Sequence, residues 1–160
     1  MRVLAFTLAL ALGIGVVGSP RPGGADEGGY AALPPGLDSV EVTPAASRAL
    51  EQLLADDTAS LTADAARIAR TRILLTGDAG LATPARHLSR VDPALPTLVD
   101  LLHVVAVSAH PAADRILVRA ADDARAAVRI LAADGLGRGR TADALPALDR
   151  LARDPVPGVR

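Results

Sequence analysis

Slid along itself by 31 residues, this 160-residue chain meets its own pattern again. Segment 113–129 falls on segment 144–160, with identity at Ala113/Ala144, Leu117/Leu148, Arg119/Arg150, Ala121/Ala152, Asp123/Asp154, Val128/Val159 and Arg129/Arg160. Alanine and arginine are abundant enough that some of these matches carry no weight. The Leu, Asp and Val-Arg positions nevertheless hold one register. A more distant echo sets Ala49-Leu50-Glu51 against Ala147-Leu148-Asp149, with Leu53/Leu151 and Asp56/Asp154. Its offset of 98 is about three periods. One such unit is too small to bury its own apolar face, so its stability has to come from stacking on the next unit.

The units are helical. Thr43 is a good N-cap with Pro44 at the first helical position, where a missing N–H costs nothing, and Ala46, Leu50, Leu53 and Leu54 come next as one stripe. Thr62 caps a second helix through Ala65, Ile68 and Leu75, closed by Gly77. Thr83-Pro84 repeats the cap-and-proline start for a short helix to about Val91. Beyond the Asp92-Pro93 turn comes a strongly apolar helix with Leu98, Leu101, Leu102 and Val105. The next starts near Pro111 and buries Ala113, Ile116, Leu117, Ala120 and Ala121. Its successor carries Val128, Leu131 and Ala132 and ends in a Gly135-Leu136-Gly137 loop. Thr141 opens the last, with Leu145, Leu148 and Ala152. Half of the residues are apolar, mostly the Ala, Leu and Val of close-packed helices. The chain reads as all-α, with hairpins over 44–78, 83–109 and 111–137 and a half-hairpin from 141.

Ala144-Leu145-Pro146-Ala147-Leu148, then Leu151, Asp154-Pro155 and Val159-Arg160, resembles the first helix and turn of a HEAT-like repeat. The variety is the one also found in the bilin-lyase group. Val128-Arg129 through Ala132-Ala133 to Leu136-Gly137 resembles the second helix and exit loop of the same pattern. The resemblance covers about 111–160, thins over 44–109 and is absent before that. It implies an alpha-solenoid that works as a scaffold for another protein or peptide, with no catalysis of its own. It also implies a concave face lined by the second helix of each hairpin, with Arg67, Arg70, Asp100, His103 and Arg129 as candidate binding residues. Asp123 and Asp154 are placed to cap the next helix, and Arg129 and Arg160, six residues on, to meet an Asp of their own or the adjacent unit. Leu145, Leu148 and Leu151 then lack a covering layer. The expectation is a longer array, or else a second molecule or self-association at this C-terminal edge.

Before the helices, residues 3–18 form an apolar run interrupted only by Thr7. That is short for a bilayer span but suits a secretory signal, with small residues at 23–25 and cleavage before Asp26. The expected organisation is a signal peptide over 1–25, a flexible linker over 26–42 and a repeat domain over 43–160. The protein would be secreted or periplasmic, and an uncleaved start would be its membrane contact. Residues 39–42 alternate weakly, with no strand to pair with.

The chemistry is sparse. There is no Cys, hence no disulfide, thiolate metal site or thiol nucleophile. All 17 basic residues are Arg, which removes lysine chemistry. The aromatics are Phe6 and Tyr30, too few to stack bases, and a formal charge of −1 argues against a nucleic-acid partner. His103 and His110, with Asp100 and Asp114 nearby, suggest a metal site, but His110-Pro111 reads as a helix boundary between them. His87 reads as lying on a solvated face. Gly135, Gly137 and Gly139 with Arg138 and Arg140 come after a helix, where a nucleotide loop would come after a strand. No cofactor is expected. The alternative readings are an accessory domain of a longer exported enzyme, a bilin-lyase-like protein or a metal-binding helical protein.

Overall fold

The structure, a computed structural model, describes residues 33–55, 63–139 and 141–160. The expected signal peptide, linker residues 26–32 and the Thr62 cap lie outside the described residues. Among the described residues there are seven α-helices and no strand. They are α1 (Pro44–Ala55), α2 (Ala63–Leu74), α3 (Asp78–Leu88), α4 (Leu95–Val107), α5 (Ala112–Ala120), α6 (Ala126–Leu136) and α7 (Leu145–Leu151), the last preceded by a 3-10 turn at Ala142–Ala144. None is long and apolar enough to cross a membrane.

Each helix packs against its sequence neighbour, α1 on α2, α3 on α4 and α5 on α6. A second set of contacts joins α2 to α4 and α4 to α6, so α4 lies at the centre. Its Leu98, Leu101, Leu102, Val104 and Val105 are fully buried, which is why its sequence is apolar almost all round. The stripes expected on α1 and α5 are also found: Ala46, Leu50 and Leu53 are buried, as are Ala113, Ile116, Leu117 and Ala120. Thr43 caps α1 as its position predicts, accepting the Ala46 N–H at Oγ1 (3.2 Å).

Several expectations are corrected. The third helix begins at Asp78, not at Thr83-Pro84. Gly77, at φ +63°, turns the chain there, and Thr83 donates its hydroxyl back to the Ala79 carbonyl (2.7 Å) as a helix-interior residue does. Pro84 is buried inside the helix. In α2 the inward residues are Ala69 and Ile73, while Ile68 and Leu75 are 46% and 80% exposed. Gly135 and Leu136 continue α6 rather than forming a loop. A methyl group on Gly135 would stand 2.6 Å from Leu117 Cδ1 and 3.0 Å from Ala106 Cβ, so α6 meets α4 almost backbone to backbone there. On α7 the buried positions are Ala147 and Leu151, with Ala144 just before them; Leu145 is 65% exposed and Ala152 is exposed. Leu151 therefore has cover, sharing the core with Val159.

Residues 33–42 do not behave as the flexible linker expected of them. A turn closed by the Leu37 N–H on the Pro34 carbonyl (3.1 Å), with Gly36 at φ +94°, drives Leu37 fully into the core. Arg86 of α3 then grips the segment, donating from Nη2 to the carbonyls of Leu37 (3.0 Å), Asp38 (3.0 Å) and Val40 (2.6 Å). A guanidinium suits this role, because it stays charged and offers its donors in a fixed plane.

Candidate functional site

The contacts α2–α4–α6 bring most of the sequence-predicted site residues together. Arg70 of α2 donates from Nη1 to Asp100 Oδ1 of α4, an ion pair with about a quarter of each side chain exposed. His103 lies one turn beyond Asp100 and is half-buried. Burial pushes its imidazole below the ordinary value, the Arg70 charge pushes the same way, and Asp100 and Asp134 pull it back only in part. The ring is therefore neutral at neutral pH, with one donor and one acceptor nitrogen. Arg67 sits one turn before Arg70 on an exposed position of α2.

Asp134 of α6 and its partner Arg138 (Nη2 to Oδ2, 2.9 Å) extend the row. Sequence reasoning missed Asp134 and weighed Arg138 only as part of a nucleotide loop. The signal was there: Asp134 lies 31 residues beyond His103, the same offset as the self-match. The row thus carries both signs: an Arg–Asp pair at each end, Arg70 with Asp100 and Arg138 with Asp134, and a neutral imidazole between the two carboxylates. It holds no activated nucleophile. It can exchange hydrogen bonds and charge with a polar partner in extended contact.

Arg129 does not join this row. At Arg129 the α6 chain is about 7 Å nearer the helix start than at Asp134, and its guanidinium is committed elsewhere. Nε and Nη2 grip Asp154 at Oδ2 (2.6 Å) and Oδ1 (3.0 Å), while Nη1 donates to the carbonyls of Asp123 (2.9 Å) and Ala124 (3.0 Å). The bond from Arg129 holds the Asp154 carboxyl below its ordinary range, aided by the Val156 N–H and against the effect of burial. Both Asp turns have the same form: Asp123 Oδ1 accepts the Arg125 N–H (2.7 Å) and Asp154 Oδ1 the Val156 N–H (2.8 Å). Arg160 also donates from Nη1 to the carbonyl of Asp154 (3.2 Å), six residues back, as Arg129 does to Asp123. Asp92 shares the register, which the sequence reading overlooked, but has Leu98 and not an arginine six residues on. It precedes Asp123 by 31 residues, and its Oδ1 lies 3.9 Å from Nη2 of Arg125, which is itself 2.8 Å from Asp123 Oδ2.

This geometry gives a first expected result. Arg129→Ala should lower the melting temperature by about 5 °C, because it leaves a mostly buried carboxylate with half its partners. Arg153→Ala removes only an exposed pair with Asp149 one turn away and should shift it by roughly 1 °C or less. Thermal scans by circular dichroism at one pH and salt concentration compare the two; equal shifts would deny Arg129 its role.

A helix boundary falls between His103 and His110, as His110-Pro111 leads one to expect. Helix α4 ends at Val107, and His110 Nδ1 is occupied in accepting the Ala112 N–H (3.1 Å) at the start of α5. Among the described residues no group of three or more His, Asp or Glu side chains gathers to hold a metal. His87 is partly buried rather than solvated, and that burial lowers its pKa. Comparison with family models, with curated proteins and with solved structures gave no match.

Proposed function

We propose that this chain is an exported, non-enzymatic scaffold, a HEAT-like solenoid of stacked helical hairpins that binds another protein or peptide along the α2–α4–α6 face. The observation that carries the reading is the Asp turn formed twice at a 31-residue interval, each with its Arg six residues later reaching back to the turn carbonyl. Arg129 also grips the Asp of the next unit, so the clasp links one unit to its neighbour. That is how stacked units keep register when each contacts its neighbours. The packing order agrees, with α4 in contact with both α2 and α6. Export rests on the apolar start of the chain and its small-residue cleavage region.

The face supports binding through its chemistry. A row of both signs suits a polypeptide with interspersed charges better than a polyanion. The test exchanges the pair at the centre, Arg70→Asp with Asp100→Arg. The exchange keeps an ion pair, so the melting temperature should stay within about 2 °C, while the electrostatic pattern is reversed. A photo-crosslinking residue at His103, in the native host, should give a discrete adduct that the exchange abolishes, and one at Arg119 on α5 should not. Adducts that survive the exchange, or that form equally from Arg119, would overturn this face as the binding surface.

A further inference from the structure

The first helix pair carries a second surface, on the other side of α2. Arg70 and Arg72 lie about 200° apart around the helix axis, so Arg72 faces away from α4 and toward α1. There α1 and α2 enclose an open groove of about 370 Å³, lined by Ala45, Arg48, Ala49 and Gln52 of α1, by Arg72 of α2 and by Leu75 just beyond its end. Among the described residues no acidic side chain lines it.

The two arginines are held by neutral groups. Arg48 donates from Nε to the Pro44 carbonyl (3.2 Å), and Arg72 from Nη1 to Gln52 Oε1 (3.0 Å). Six other arginines, Arg70, Arg125, Arg129, Arg138, Arg150 and Arg153, each pair with an Asp, while Arg86 spends its donors on three backbone carbonyls. Each bond in the groove uses one donor of a guanidinium that has five. The groove therefore gathers two cations that the fold positions and that meet no carboxylate among the described residues. Leu75, 80% exposed, adds an apolar lip beside them, and the two alanines leave room for a backbone to come close.

We propose that this groove docks an acidic segment of a partner protein, one in which Asp or Glu side chains flank an apolar residue. Carboxylates match the planar guanidinium fork in two-pronged bonds, and Leu75 takes the apolar side chain. Two cations on a chain of net charge −1 are too few for a nucleic-acid backbone. The proposal does not rest on the α2–α4–α6 face, and either surface can fail alone.

The test uses the purified full chain and a fluorescein-labelled peptide, Gly-Glu-Leu-Glu-Gly, read by anisotropy at low salt. The acidic peptide should bind at least about tenfold more tightly than its Gly-Gln-Leu-Gln-Gly twin. Arg72→Glu and Arg48→Glu should each weaken it by a similar factor, with Arg119→Glu without effect. Arg72→Gln, which keeps a polar side chain of similar reach, separates loss of charge from loss of fold, and its circular dichroism should be unchanged. Equal binding of the two peptides, or insensitivity to Arg72→Gln, overturns the proposal. So does binding to phosphatidylglycerol vesicles that the acidic peptide does not displace, which would make the groove a membrane contact.

Discussion

Gly80→Ala is expected to destabilise the protein by about 3 kcal/mol and to lower its melting temperature by roughly 10 °C. A methyl group there would stand 2.1 Å from the Ile73 carbonyl oxygen and 2.9 Å from Thr76 Oγ1. Neither neighbour can yield cheaply. The Ile73 carbonyl already accepts the Thr76 N–H (3.0 Å) and its hydroxyl (2.6 Å), and those two bonds close the turn from α2 into α3. Moving that carbonyl moves the end of α2, and Ile73 itself is fully buried. Gly158→Ala is the control, since its methyl would meet only Ile130 Cδ1, at an ordinary 3.8 Å. Chemical denaturation of both variants decides the matter. If Gly80→Ala matches Gly158→Ala, the two helices do not approach as described.

Leu37→Ala is the second large effect, about 3 kcal/mol of lost stability from an emptied core site. A tether would not notice the change. Here Leu37 is fully buried, and Arg86 fastens the three carbonyls around it. Arg86→Ala should cost less, about 1–2 kcal/mol, because Leu37 can stay in place while its backbone loses donors. Limited proteolysis provides a second readout. Cleavage within 33–42 should accelerate strongly in Leu37→Ala and moderately in Arg86→Ala, at enzyme concentrations that leave the parent chain intact. Unchanged stability in Leu37→Ala would return the segment to the status of a linker.

How legible each element is in the sequence depends on its physics. Helices α4, α5 and α6 are legible because Leu, Ile and Val recur at helical spacing and nothing local competes. The start of α3 is not, because Thr43-Pro44 and Thr83-Pro84 are the same dipeptide. One caps a helix through the Ala46 N–H, whereas the other lies mid-helix and bonds backwards to Ala79. Leu37 gives no sign at all: one Leu between Gly36 and Asp38 has no period, and its burial comes from tertiary contact alone. On α2, Ile68 draws the stripe to the wrong side of the helix, since the small Ala69 is the residue packed inward.

The site is legible in a similar, partial way. Arg70, Asp100 and His103 can be named from the second-helix positions that the family resemblance implies, but their pairing needs the α2–α4 contact. Arg129 is named twice, as a face residue and as a partner for Asp; the structure places it in the second role. Asp134 and Asp92 are within reach of the 31-residue offset once it is carried one unit further back along the chain. The groove between α1 and α2 is beyond reach, because Arg48 and Arg72 come together only through tertiary packing.

The contact at Gly135 sets a limit on how the α2–α4–α6 face can behave. Where two helices touch through a glycine and an alanine, their separation is fixed by main-chain atoms rather than by side chains that can change rotamer. The backbone positions of His103 on one helix and Asp134 on the other are thus set by the fold and not by side-chain packing that a ligand could rearrange. If this face binds a partner as proposed, it loses little freedom on association, and the ordering cost falls on the partner. Selectivity would then be a matter of measured length. A segment whose charged groups match that spacing would be accepted, and one a residue out of step would find no accommodating movement.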